Sequence, residues 1–291
     1  MLDFRMETFL MVCRCMNFTR AAEKLHITQP AVSQHIRFLE EHYRTKLFCY
    51  SGKKLKMTSA GELLKSAAIT MLHDEQSLQN QMLHSDDGFQ DIRFGATMTV
   101  GDAVMSKVLE RYLLHYPDAQ LHMEVANTQT LLERLDNGEI DFALVEGYFN
   151  KSEYEYLHYS TERFIAVSSP HYPFRKQQDR LEDVFGERIL LREPGSGTRE
   201  VLERYLASQN RSIQEFAKMI EISSLPTIKE LTKAGCGITF LYEVAVKEEI
   251  KKGELRRIPL TDFDVSHDFT FVWRRGSIYA DMYKELFEEF S

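Results

Sequence analysis

Apolar positions near the start of the chain recur at helical spacing. Val32, Ile36 and Leu39 share one side of a predicted helix. Thr28 is its expected N-cap, because a hydroxyl accepts from free first-turn N–H groups, and Pro30 falls where a missing N–H costs nothing. The opposite side carries Gln29, Ser33, Gln34 and Arg37, side chains that hydrogen-bond base edges or phosphates. A shorter helix, Thr19 to Leu25, precedes it through His26-Ile27. Two short helices with a tight turn predict a helix-turn-helix whose second helix enters a DNA major groove. In Leu47 to Thr58, LFCYSGKKLKMT, the Ser51-Gly52 turn separates two apolar patches. Lys53, Lys54 and Lys56 at that turn suit a β-wing laid along the phosphate backbone.

From residue 59 to about 85 the period stays helical. Leu64, Ala68, Met71, Glu75, Leu78 and Met82 alternate by four and three, a heptad seam broken once by Glu75. A seam on a helix lying outside the globular domains predicts pairing with a second chain. His84-Ser85-Asp86-Asp87-Gly88 reads as a hinge. Beyond it the pattern switches to alternating strands and helices. Strands are expected at Ile92–Ala96, Leu121–Ala126 and Ile140–Val145, with helices from Gly101 to His115 and Thr128 to Asn137. A second set has strands at Phe164–Ser168, Ile189–Leu191, Met219–Ile222 and Ile238–Leu241, and helices at Thr198–Gln209 and Thr227–Ala234. Strand Phe269–Trp273 and helix Ser277–Phe290 close the chain. This order predicts an α/β fold with a largely parallel sheet. The expected division is a winged helix-turn-helix at 1–58, a linker helix and hinge at 59–88, and a two-lobed α/β domain at 89–291. Lobe one would take 91–161 and 268–291, and lobe two 162–267.

Charge sharpens the division. Ten Lys and Arg against five acids give residues 1–60 a net charge of +5, whereas the whole chain carries −8, which leaves −13 on the rest. A basic head on an acidic body fits double-stranded DNA as the head's partner. No apolar run approaches the ~18 residues that span a bilayer, and MLDFRMETF has no signal-peptide core, so a cytoplasmic protein without a membrane partner is expected. The four cysteines, Cys13, Cys15, Cys49 and Cys236, lack metal-ligand spacing and are expected as thiols. No metal or cofactor is expected.

A two-lobed domain binds its ligand between the lobes, and helix N-termini there attract anions. Thr97-Met98-Thr99, Gly195-Ser196-Gly197-Thr198 and Ser223-Ser224-Leu225-Pro226-Thr227 each precede a predicted helix. Each alone is what a helix cap looks like. Together they make Thr97, Thr99, Ser196, Gly197, Thr198 and Thr227 the candidate contacts for a small anionic effector. Catalysis is not expected: HExxH, P-loop and GxGxxG patterns are absent, and GSGT has no following Lys. A small-molecule-binding protein of the solute-receptor class is the alternative, which the basic head and the missing signal peptide oppose.

The run FTRAAEKLHITQPAVSQHIRFLE, followed by LF and LKMTSAGE, resembles the head of the LysR-type transcriptional regulators, and the resemblance extends over the later chain. It implies a sequence-specific DNA-binding regulator with a periplasmic-binding-protein-like effector domain. It also implies antiparallel pairing of linker helices in a homodimer, assembly into a homotetramer, and RNA polymerase as a partner. EPGSGTR resembles regulators that sense small anionic metabolites. Tyr50 departs from the pattern, since many members carry Arg there, which shifts the wing's phosphate contacts to Lys53 and Lys54.

Overall fold

The computed structural model describes residues 3–84 and 91–291. The head is built from α1 (Phe4–Cys15), α2 (Phe18–Leu25) and α3 (Gln29–His42). Asp3, Asn17 and Thr28 cap them, accepting from the N–H groups of Arg5, Arg20 and Ala31. The turn between α2 and α3 is made at His26, which adopts a left-handed φ of +55°. Val32, Ile36 and Leu39 are buried in one cluster with Phe9, Val12 and Ala21, so the apolar stripe of α3 faces inward as its spacing requires. The wing is an antiparallel hairpin, β1 (Phe48–Ser51) and β2 (Lys54–Met57), with Phe48 opposite Met57. Gly52, at φ +63°, supplies the left-handed residue of its turn.

The linker helix α4 (Ser59–His84) does not stand clear of the globular domains, as its heptad reading supposed. Its seam is divided. Leu64 and Ala68 pack with the core of the head, whereas Met71, Leu78 and Met82 are 56%, 46% and 70% exposed. A second face, polar and unnoticed in the sequence, docks on the chain's own α/β domain. There Thr70 donates to the Arg275 carbonyl at 3.0 Å and Ser77 to Asp141 at 2.8 Å. Asp74 accepts from the Ser277 hydroxyl at 2.6 Å and the Ile278 N–H at 3.0 Å. Burial pushes the Asp74 carboxyl up, but these bonds and His73 outweigh it and hold it below its ordinary value. A helix of period 3.6 has room for both a docked polar face and an exposed apolar stripe. Of the expected hinge, 85–88 lies outside the described residues.

The α/β domain starts with β3 (Asp91–Thr97), which enters α5 (Met98–Val100). A π turn at Gly101–Met105 carries the helix on into α6 (Ser106–His115). The helix thus begins before Gly101, where the sequence reading placed it, and Thr97 becomes its N-cap position. β4 (Gln120–Ala126), α7 (Thr128–Asp136) and β5 (Phe142–Val145) follow. β3 pairs in parallel with β4 on one side and β5 on the other. The chain then enters β6 (Tyr154–Ser168), next β7 (Arg188–Leu191), α8 (Gly197–Ser208), β8 (Lys218–Glu221), α9 (Leu225–Lys233), β9 (Thr239–Tyr242), α10 (Glu243–Lys251) and β10 (Arg256–Arg257). β11 (Val265–Arg274) returns antiparallel to both β5 and β6, and α11 (Ala280–Phe290) ends the chain. The sheet order β10-β6-β11-β5-β3-β4, with β9 also on β6, makes β6 and β11 common to both groups of elements. β7 and β8 pair in parallel, and Ile238 bridges β7 toward β9. An aromatic stack of Phe94, Phe142 and Phe271, with ring centroids 5.2 and 4.4 Å apart and Phe290 edge-on, fills the space under α11.

β6 is far longer than the expected Phe164–Ser168. In its first part, YEYLHYSTER, only Tyr154 is buried, and half-buried positions are interleaved with exposed ones. Its exposed positions are Tyr156, His158, Thr161 and Arg163, and Glu155, Ser160 and Glu162 are half-buried, so no apolar run marks the strand. α10 and β10 were also not read from the sequence.

Candidate DNA interface and effector cleft

In the head, Thr28, Gln29, Pro30, Gln34 and Arg37 are exposed and Ser33 is half-buried, all on the outer face of α3. The Gln29 amide donates to the Ser33 hydroxyl at 2.9 Å. Thr28 Oγ1 is engaged as the cap, leaving its O–H free to donate outward. Gln29, Ser33 and Arg37 line one groove with Lys46, Tyr50 and Leu55. The groove therefore joins the reading helix to the wing, and Tyr50, 69% exposed, stands on its wing side. Lys53 and Lys54 are exposed at the tip of the hairpin, beyond the groove lining. The cysteines offer no disulfide. Burial pushes the Cys13 thiol up to about 12, so it is not a reactive thiolate.

The second constellation forms where β3, β5, β7 and β9 end and α8 begins. Thr97, Thr99, Ser196, Gly197 and Thr198 come together there, all buried. Thr227 does not join them. It is exposed in the first turn of α9, where its N–H and hydroxyl both bond to Ser224, an ordinary cap. The organising residue is Glu146, which the sequence reading missed. It follows β5 directly and is 1% exposed. Its N–H donates to Thr97 Oγ1 at 3.3 Å, its carbonyl accepts from the Thr128 hydroxyl, and its Oε1 accepts from the Thr198 hydroxyl at 2.6 Å. Thr198 thus meets a carboxylate of its own protein. Burial pushes the Glu146 carboxyl above its ordinary value, opposed by the Thr198 and Thr99 hydroxyls and the Arg192 guanidinium.

The two halves approach closely at this point. A Cβ on Gly197 would lie 2.2 Å from the Glu146 carbonyl oxygen, and one on Gly147, at φ +97°, would lie 2.6 Å from Gly197 Cα. Beside them Asn127, at the start of α7, reaches Glu193 at 3.4 Å, and Glu193 pairs with Arg192 at 2.8 Å. The signal available in the sequence was DFALVEG: a carboxylate and a glycine set at the carboxyl end of a buried strand, where open α/β sheets bind ligands. Among the described residues no cluster of three His, Cys, Asp or Glu is placed to hold a metal ion, and no helix is long and apolar enough to cross a membrane.

Both domains match known families. Residues 4–62 match the family model of the bacterial regulatory helix-turn-helix protein, lysR family, and residues 88–289 match the LysR substrate binding domain. The HTH-type transcriptional regulator CysL of Bacillus subtilis is 29% identical over 269 residues, covering 92% of this chain and 89% of that protein. A hydrogen peroxide-bound OxyR mutant of Corynebacterium glutamicum superposes with a TM-score of 0.61 at 24% identity, over 98% of this chain and 90% of that one. Full-length LysG of the same organism, solved with bound effector Arg, gives 0.59 at 18% identity over 100% and 98%. With one model matched by its head and the other by its α/β domain, the chain belongs to the LysR family of DNA-binding transcriptional regulators.

Proposed function

We propose that this regulator reads DNA through the outer face of α3, is anchored by the wing, and changes state when a small molecule binds between its lobes. The observation that carries the reading is the joint one: a groove from α3 to the wing at one end, and a buried polar cluster at the strand ends at the other. Gln34 and Arg37 contact bases, with Thr28, Gln29, Pro30 and Ser33 beside them, and Lys53 and Lys54 contact phosphate. Lys53→Ala is expected to weaken binding to every duplex alike and to reduce the slope of log affinity against log salt by about one. Titrating an operator duplex and an unrelated duplex at several salt concentrations checks this. An unchanged slope removes Lys53 from the interface.

The lobes divide at the middle of β6 and β11, with 91–161 and 268–291 in one and 162–267 in the other. Thr97, Thr99, Ser196, Gly197 and Thr198 surround the effector, and Thr227 is left as a helix cap. The N-terminus of α8 and Arg192 suit an acidic group on that effector. LysG, which shares the fold, carries Arg as its effector. No enzymatic step is assigned, and the protein works in the cytoplasm with DNA and RNA polymerase.

The exposed Met71, Leu78 and Met82 pair α4 with a second copy in a homodimer. Apolar residues exposed on the outer strands, Met123 and Val125 on β4 and Met219 and Ile220 on β8, suit contacts between effector domains in a tetramer. Leu78→Asp, which places a charge in the α4 stripe, is expected to shift the sedimentation profile toward smaller species. A wild type that sediments as a monomer sinks both assembly claims.

A further inference from the structure

The cleft contains five buried polar atoms that no protein group satisfies. They are Thr99 Oγ1, Glu146 Oε2, Arg192 Nη1, Ser196 Oγ and Tyr242 OH. Each belongs to a residue no more than 2% exposed. They come from five different elements or strand ends, so a single local turn does not account for them. The Glu146 charge acts on Tyr242, and the Arg192 charge acts on Glu146, which places the three within one electrostatic neighbourhood. A buried polar group without a partner is costly, and several around one spot describe the complement of a ligand.

Their chemistry is of two kinds. Arg192 Nη1 can only donate, so it requires an acceptor. An ionised Glu146, the form its Thr198, Thr99 and Arg192 neighbours favour against burial, can only accept. Its Oε1 is taken by Thr198, and the Thr99 hydroxyl lies close enough to act on the carboxyl but does not complete a hydrogen bond to Oε2, which still requires a donor. The hydroxyls of Thr99, Ser196 and Tyr242 can serve either end. A fully deprotonated anion satisfies Arg192 and the hydroxyls but sets its charge against Glu146 in a water-poor site, where like charges repel most strongly.

We propose that Glu146 makes this cleft selective for small molecules that carry an N–H or O–H donor beside an acidic group, of the amino-acid or hydroxy-acid kind, and makes it reject fully deprotonated anions. The inference rests on the reading of the cleft as the effector site. It narrows the anion expected from the sequence to one end of the ligand. Glu146 is then the residue that sets specificity, and Arg192, Ser196 and the start of α8 hold the acidic end.

The test uses the full chain at pH 8, with binding followed by calorimetry and thermal shift. The probes are sulfate and three matched sets: acetate, glycine and glycolate; propionate, alanine and lactate; succinate, aspartate and malate. Wild type is expected to ignore sulfate, and in any set that binds, a donor-bearing member is expected to bind at least about tenfold tighter than the plain acid. Glu146→Gln keeps the shape and adds an amide donor. It is expected to gain sulfate binding by about tenfold and to lose discrimination within the sets. The proposal is overturned if no donor-bearing member of any set binds wild type, if wild type takes sulfate as well as Glu146→Gln does, if a plain acid binds as tightly as its donor-bearing counterparts, or if folded Glu146→Gln gains no sulfate. Should Glu146→Gln fail to fold, the wild-type comparison of sulfate and the matched sets decides alone. Thr198→Val separates the two levels. If it weakens a ligand that Glu146→Gln leaves unchanged, the cleft is the effector site and the role of Glu146 is wrong. If a bound ligand responds to neither substitution, the cleft reading itself fails.

Discussion

Arg274→Ala is expected to lower the stability of the α/β domain by about 3 kcal/mol, because removing one partner of a buried ion pair strands the others. Arg274 is fully buried at the end of β11. Its Nη1 lies 2.9 Å from Asp136 of α7 and 3.4 Å from Glu153 before β6, and its Nη2 lies 3.3 Å from the Ser66 carbonyl of α4. One guanidinium therefore ties the linker helix to the first group of strands. Asp136 and Glu153 are each about a third exposed, so water recovers part of the loss and the estimate sits at the low end of the range for buried pairs. Arg274→Lys keeps the charge but not the fork, and is expected to fall between Ala and wild type. Urea unfolding measures the loss, and hydrogen exchange across Ser66–Ser77 shows whether α4 loosens with it. A change below about 1 kcal/mol, the scale of an exposed pair, would mean that the cluster is not cooperative.

Gly197→Ala is expected to disable the cleft while sparing the head. In a helix Ala is favoured over Gly by about 1 kcal/mol, so α8 taken alone would gain. Here the added methyl would lie 2.2 Å from the Glu146 carbonyl oxygen and 2.6 Å from its carbonyl carbon. Both are backbone atoms and cannot swing aside. Overpacking of this kind costs about 1–3 kcal/mol and outweighs the helical gain. The cheapest relief is to move α8 away from the end of β5. The variant should therefore fold, bind DNA through its head with near wild-type affinity, and fail to respond to any ligand that shifts the wild type. A normal ligand response would show that Gly147 and Gly197 do not need to meet.

Much of the head is legible in the sequence because its determinants are local. A capping Thr, a proline in the first turn and an apolar period of 3.6 lie within fourteen residues of each other in α3, and the Ser51-Gly52 turn marks the wing. The docking of α4 is not legible for the opposite reason. Thr70 and Asp74 look like a solvated face until the turn between β11 and α11 arrives from about two hundred residues away, and Ser77 until Asp141 arrives from 64 residues away. The first part of β6 is hidden because a strand accessible on one side presents polar residues at every other position. The cleft is legible only in part. Thr198 and Thr227 look alike in the sequence, each a hydroxyl at a helix start, but only Thr198 lies where strand ends meet. Glu146 is marked in the sequence only by its place after the apolar run FALV; its burial is decided by the loops around it and not by its neighbours in the chain.

The most direct test of the account is to let the full chain select its own duplexes from a random pool, and to repeat the selection with Gln34→Ala. Wild type is expected to enrich one sequence with two-fold symmetry, as a dimer requires. Gln34→Ala is expected to lose about 1–3 kcal/mol on that sequence and its preference at one base position in each half, with the remaining positions unchanged. If wild type enriches no sequence, or if Gln34→Ala selects the same sequence with the same affinity, α3 is not the reading helix of this regulator.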